Sequence, residues 1–67
     1  MMVAFRVSDM VNERGAAAVR KALREVDPRA VVRIDLPSRT VEIEALSATA
    51  RRLGDAIRQA GYEPVAA

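Results

Sequence analysis

The side chains best suited to chemistry lie in one short stretch near the N-terminus. Asp9, Asn12 and Glu13 place three side-chain oxygens within five residues, and oxygen ligands are those that Ca²⁺ and Mg²⁺ prefer. Met10 adds a thioether, which binds Cu(I) but holds it weakly without a thiolate or an imidazole. The chain contains no Cys and no His, so thiolate and imidazole ligands are missing.

The same oxygens also suit a structural role. Asp9 and Asn12 stand where a helix is predicted to begin, and side chains of these types accept hydrogen bonds from free backbone N–H groups. Glu13 complements the positive end of the helix dipole, which repels a cation. We therefore predict helix caps here and no metal site, with Met10 and Asp9 retained only as weaker candidate ligands.

Catalysis is not predicted from any arrangement of residues in this chain. The hydroxyl groups of Ser8, Ser38 and Ser47 fall at expected turn or cap positions, and no His or Cys accompanies them. We predict no enzyme activity and no cofactor.

Composition narrows the choice of partners. The net charge is +2, from 11 basic and 9 acidic residues, and the signs alternate along the chain without forming a run. Binding of nucleic acid calls for a basic patch with stacking aromatics, and Phe5 and Tyr62 are the two aromatic residues. No apolar run is long enough to span a bilayer, and the first residues do not resemble a signal peptide. We expect a cytoplasmic protein that neither binds nucleic acid nor inserts into a membrane.

Two helices and four strands are predicted from hydrophobic periodicity. Alternation over 3–7 predicts a strand, and apolar residues spaced three or four apart over 16–26 predict a helix that ends before Pro28. Apolar positions over 50–60 predict a second helix, capped by Ser47 and ended by Gly61 in a left-handed conformation. The residues from Tyr62 to Val65 are predicted to form a short edge strand.

Two alternating runs, 32–36 and 40–44, flank a Pro-containing turn and predict a hairpin. If Asp35 faces Thr40, the apolar residues share the core face and Arg33 faces Glu42 on the open face. The whole chain, 1–67, is then a single α+β domain with βαββαβ order. It is a ferredoxin-like sandwich of two helices on one face of a four-stranded antiparallel sheet, and right-handed crossovers give the strand order 4-1-3-2.

Beyond the fold, the chain resembles a known family. The motifs that carry the likeness are Asp9-Met10 after the first strand and, near the C-terminus, Ile57-x-x-Ala60-Gly61-Tyr62-x-Pro64. Together with the helix and hairpin patterns, they are similar to the heavy-metal-associated domain of small copper chaperones and of the N-terminal modules of copper- and zinc-transporting P-type ATPases.

The resemblance implies a particular site. In that family, the two cysteine thiolates of a Met-x-Cys-x-x-Cys turn coordinate Cu(I). Here the two cysteine positions are Asn12 and Gly15, so the fold and a docking surface carry over and the metal ligands do not. The docking surface implied by the resemblance comprises Met10, Asn12, Glu13, Arg14 and Tyr62.

Two main functions follow as hypotheses. In the first, the chain is a heavy-metal-associated module of metal homeostasis with weak or absent metal binding, which docks on a metal-transporting ATPase or a related protein. In the second, it is a metal-independent ferredoxin-like interaction domain that pairs through its sheet edges or its open face. A residual carrier that uses oxygen and thioether ligands is the third and weakest. A monomer or a weak dimer is expected in each case.

Overall fold

The computed structural model describes all 67 residues, Met1–Ala67. Its elements follow the predicted order: β1 (Met2–Arg6), α1 (Glu13–Val26), β2 (Val31–Asp35), β3 (Thr40–Glu44), α2 (Ala50–Gln59) and β4 (Val65–Ala66). The four strands form one antiparallel sheet in the order β2-β3-β1-β4. This is the predicted ferredoxin-like arrangement, including the 4-1-3-2 strand order. Neither helix is both long and apolar enough to cross a membrane.

The hairpin has the predicted register. Asp35 faces Thr40 and Arg33 faces Glu42, while Val32 and Ile34 face the two apolar residues of β3. A slip by one residue would move every apolar side chain to solvent, so the alternating pattern is sufficient to set this pairing.

The core lies between the helices and one face of the sheet. Leu23 of α1 and Leu53 and Ile57 of α2 are fully buried. They share one cluster with the buried sheet residues Phe5, Val32, Val41 and Ile43 and with Val7, which directly follows β1. Ile34, on the same face of the edge strand β2, is only partly buried.

The start of α2 differs from the prediction. Thr49, and not Ser47, caps the helix by accepting a hydrogen bond from the N–H of Arg52 at 3.2 Å. Ser47 instead donates from its N–H and its hydroxyl to the carboxylate of Asp27, at 3.0 and 3.2 Å. The apolar face of α2 is also shifted, since Ala50 is exposed and Ala56 is buried.

Asp27 is the buried polar anchor of the fold. It lies just after α1 and is 1% exposed. Its carboxylate accepts the backbone N–H groups of Leu46 and Ala48 as well as both donors of Ser47. Hydrogen bonds from the Ser47 and Ala48 N–H groups are the main reason that the pKa of Asp27 falls from its ordinary 3.8 to about 2. One carboxylate therefore joins the end of α1 to the loop that precedes α2.

The last strand is shorter and later than predicted. Only Val65–Ala66 pairs with β1, whereas a strand from Tyr62 was expected. Tyr62 instead follows the turn that closes α2, since its N–H donates to the carbonyl of Ile57 and the N–H of Gly61 donates to the carbonyl of Arg58. Gly61 has a φ of +98°, which confirms the predicted left-handed residue after the helix.

Candidate functional site: the β1–α1 loop

The loop between β1 and α1 is supported from beneath by Met10. This side chain is fully buried in the core cluster, and its N–H donates to the carbonyl of Val7 at 3.0 Å. Methionine is flexible enough to fill such an irregular gap. Met10 therefore positions the loop, and its predicted place in the docking surface is wrong because a fully buried side chain is not accessible to a partner.

Asn12 is the cap of α1, as predicted. Its backbone is extended, with φ −149° and ψ 174°, and its side-chain oxygen accepts the N–H of Gly15 at 2.9 Å. This bond satisfies one of the free N–H groups of the first turn. The amide oxygen that would be its metal donor is thus directed at the helix backbone.

Asp9, the second predicted cap, has a different role. Its carboxylate accepts the N–H of Glu63 at 3.3 Å, across 54 residues of sequence. The predicted cap at this position is wrong because the helix begins only after Asn12. Asp9 instead ties the β1–α1 loop to the segment after α2.

Gly15 and Tyr62 make the closest approach in the site. Gly15 is buried in the first turn of α1. A Cβ placed on it would lie 2.9 Å from the hydroxyl oxygen and 3.4 Å from Cζ of Tyr62, and 3.5 Å from Cγ of Met10. Contacts near 2.9 Å are closer than van der Waals packing allows. The Tyr62 hydroxyl therefore lies where a side chain at position 15 would begin.

The turn of Gly61 explains why Tyr62 lies there. The two hydrogen bonds that close the end of α2 fix the backbone of Tyr62 beside the core, and its half-buried ring packs against the core cluster. Residues 15 and 62 are far apart in sequence, so this contact is set by the docking of α2 against α1 and not by a local pattern.

A further tether joins the loop to the β2–β3 hairpin. The guanidinium of Arg39 donates to the carbonyl of Ser8 at 2.9 Å, and Arg39 has a φ of +57°, a left-handed conformation uncommon outside glycine. In the same turn, Ser38 donates to Asp35 from its hydroxyl and its N–H, and these two bonds lower the pKa of Asp35.

These tethers bring most of the predicted surface residues together. Asn12, Glu13 and Arg14 are exposed at the start of α1, and Tyr62 is half-buried beside them. Val11, which was not among the residues predicted for this surface, is 58% exposed in the loop. Its exposure could have been predicted from its position between the buried Met10 and the cap Asn12, because the loop leaves no room in the core for a second apolar side chain.

The arrangement does not group strong metal donors. No cluster of three or more His, Cys, Asp or Glu side chains is positioned to hold a metal ion. What the loop presents is a firmly held surface with one exposed apolar residue, a carboxylate and a guanidinium.

Comparison with known proteins identifies relatives by structure. No family model and no curated protein sequence matches the chain. Among solved structures, the copper chaperone Atx1 from Synechocystis PCC6803 is 35% identical, with a TM-score of 0.89 over 94% of this chain and 98% of that protein. A structure described as a gold binding protein is 31% identical, with a TM-score of 0.90 over 97% of this chain and 98% of its own.

A more distant structure shares the fold alone. The N-terminal domain of PacS from Synechocystis PCC6803 has a TM-score of 0.85 over 100% of this chain and 97% of that domain, at 16% identity. The likeness therefore extends over whole chains, and it includes the loop at which this chain has Asn12 and Gly15.

Proposed function

Because this chain belongs to the heavy-metal-associated domain family, we propose that it acts in copper homeostasis as a docking or regulatory module that does not itself carry the metal. The proposal depends on the residues at positions 12 and 15, where the family has its two cysteines. Asn12 caps α1 with its side chain, and Gly15 has no side chain and packs against Tyr62.

Donor chemistry supports weak or absent metal binding. Cu(I) is a soft ion that selects thiolates, whereas the amide of Asn12 is a hard and poor donor. Using that amide for a metal would also uncap α1, at a cost of about 1 kcal/mol. The thioether of Met10 is fully buried, so it offers no donor to a metal at the surface.

The loop suits docking because it is already ordered. Hydrogen bonds from Glu63 to Asp9 and from Arg39 to Ser8 hold it from two sides. A surface that needs no ordering on binding loses less entropy when a partner arrives. The docking surface proposed here consists of Val11, Asn12, Glu13, Arg14 and Tyr62, and it combines the exposed apolar Val11 with one acidic and one basic side chain.

The partner that fits this role is a metal-transporting ATPase or a related protein of metal homeostasis. The support is family membership together with the exposure of the loop residue Val11 and of Asn12, Glu13 and Arg14 at the start of α1. No catalytic step is part of the proposal. In the rival hypothesis, a metal-independent interaction domain, the partner would contact the sheet edge or the open face instead.

Competition titration with Cu(I) tests the loss of the metal site. The wild-type chain should bind Cu(I) far more weakly than the Asn12→Cys/Gly15→Cys variant, because only the variant has thiolates. Adding Tyr62→Phe should strengthen binding further, since it removes the hydroxyl that lies 2.9 Å from a Cβ at position 15. Tight binding by the wild-type chain would refute the proposal. Weak binding by both cysteine variants would show that the loop lacks the family geometry.

A second experiment tests docking. ¹⁵N-labelled protein is titrated with the soluble metal-binding domain of a copper-transporting ATPase from the same organism. Shift changes should centre on the docking surface, and Val11→Asp or Arg14→Glu should weaken the complex. Arg51→Glu, an exposed position on α2, is the matched control for charge. Shift changes confined to β2 or the open face would favour the rival hypothesis.

A further inference from the structure

The sheet has two free edges of unequal length. At one edge, β4 contributes only two residues, Val65–Ala66, after Pro64. At the other, β2 presents five residues, Val31–Asp35. A long exposed edge strand is a template for pairing with another chain, and proteins usually protect it.

The outward backbone groups of β2 follow from the pairing of the inner strands. The N–H of Val7 donates to the carbonyl of Arg39 and the N–H of Ala45 to that of Met1, so odd-numbered residues of β3 bond to β1. Because backbone hydrogen bonds point alternately to the two sides of an antiparallel strand, the even-numbered residues of β3 bond to β2. In the observed register, these even-numbered residues of β3 face Val31, Arg33 and Asp35. The N–H and carbonyl groups of Val32 and Ile34 therefore point away from the sheet.

One of these outward groups is already occupied. The guanidinium of Arg20, reaching from α1 over the edge, donates to the carbonyl of Val32 at 2.8 Å. Arg20 is half-buried, and its place at the edge puts both bulk and charge where a new strand would have to lie. We propose that the outer edge of β2 is a pairing surface for a second copy of this chain and that Arg20 holds it closed.

Charge complementarity selects the partner and its register. In an antiparallel pair with its two-fold axis at Ile34, Arg33 of each copy lies opposite Asp35 of the other, and Val32 lies opposite Leu36. Both charged residues are exposed on the open face. Shifting the axis to Arg33 would oppose two like charges, which destabilises a strand pair. The edge is thus complementary to itself in one register.

That register makes Arg20 a direct competitor. The carbonyl of Val32 would accept the N–H of Leu36 from the second copy, and Arg20 now donates to the same oxygen. Pairing can proceed only after two guanidinium groups, one on each copy, leave the interface. Their removal should therefore favour association.

Sedimentation equilibrium over a concentration series tests the proposal on the full chain. Arg20→Met keeps much of the apolar stem and removes the donor, and Arg24→Met, exposed one turn later on α1, is the control with the same loss of charge. Arg20→Met should lower the dimer Kd at least tenfold relative to wild type and to Arg24→Met. Equal Kd values for the two variants would overturn the proposal, as would an equal Kd for wild type and Arg20→Met.

A second arm locates the interface. Proline at position 34 removes an outward N–H that the β2–β3 ladder does not use, and proline is tolerated at such edge positions. Arg20→Met/Ile34→Pro should return to the wild-type Kd, and a dimer that persists in this double variant would show that the contact lies elsewhere. Amide NMR spectra confirm the fold of each variant, and Arg20→Gln, whose side chain is shorter, repeats the test if Arg20→Met does not fold.

Discussion

Gly15 and Tyr62 should be energetically coupled, and a double-mutant cycle can measure this. From helix propensity alone, Gly15→Ala in the first turn of α1 is expected to stabilise the domain by up to about 1 kcal/mol. The structure changes that expectation, because the new Cβ would lie 2.9 Å from the Tyr62 hydroxyl. Relieving this contact requires a shift of a half-buried ring that packs on the core. We therefore expect Gly15→Ala to be neutral or destabilising in the wild-type background.

The Tyr62→Phe background should reverse the sign. Without the hydroxyl, the nearest ring atom lies 3.4 Å from the new Cβ, close to an ordinary van der Waals contact. Gly15→Ala should then stabilise by about 0.5–1 kcal/mol, and the coupling free energy should be of similar size, within the range seen for residues in contact. Tyr62→Phe alone should cost little, because the hydroxyl group is not needed to fill the core.

Urea unfolding of the four proteins provides the measurement. With a slope of about 1 kcal/mol/M, the coupling corresponds to a midpoint difference of roughly 0.5–1 M. Gly54→Ala is the matched control, since it lies within α2 and its Cβ would meet Phe5 at an ordinary 3.5 Å. It should stabilise equally in both backgrounds. If Gly15→Ala has the same effect with and without the hydroxyl, the close approach does not restrict position 15 and the reasoning fails.

Two further predictions concern the core and the stability of the domain in acid. Leu53→Ala, at a fully buried position, should lower the free energy of unfolding by about 2–5 kcal/mol, out of a total of about 5 kcal/mol. Thermal unfolding should then show that the fold is largely lost, and a melting point within a few degrees of wild type would contradict the assigned core. The pKa of Asp27 is lowered to about 2, so its contribution to stability should be fully present above about pH 4 and lost as the pH falls through 2. Asp27→Asn should therefore be less stable at neutral pH and show a flatter stability profile between pH 4 and 2, and parallel profiles for the two proteins would refute this role.

How far the structure could be predicted from sequence depended on the range of each interaction. The hairpin register and α1 follow from local alternation and from Asn12 and Pro28, which act within a few residues of where they stand. The start of α2 was misplaced because Ser47 meets a carboxylate 20 residues earlier in the chain, and no local rule distinguishes that use from capping.

The candidate site divides in the same way. The missing ligand types at positions 12 and 15 are visible in the sequence, and so is the capping ability of Asn12. The contact of Gly15 with Tyr62 is not, since it depends on how two helices dock. Gly15 therefore resembled a weak point of the helix, whereas the structure shows a position at which a larger side chain meets an aromatic ring.

Asp27 also bears on how the domain opens. The amides of Leu46, Ser47 and Ala48 lie outside any helix or strand, where hydrogen exchange with solvent is usually fast. All three donate to the carboxylate of Asp27 at the end of α1. Local opening of either the end of α1 or the loop before α2 therefore breaks the hydrogen bonds that join the two segments. We therefore expect this loop to belong to the cooperative unit of the fold, so that its amide protection follows global unfolding and not fraying.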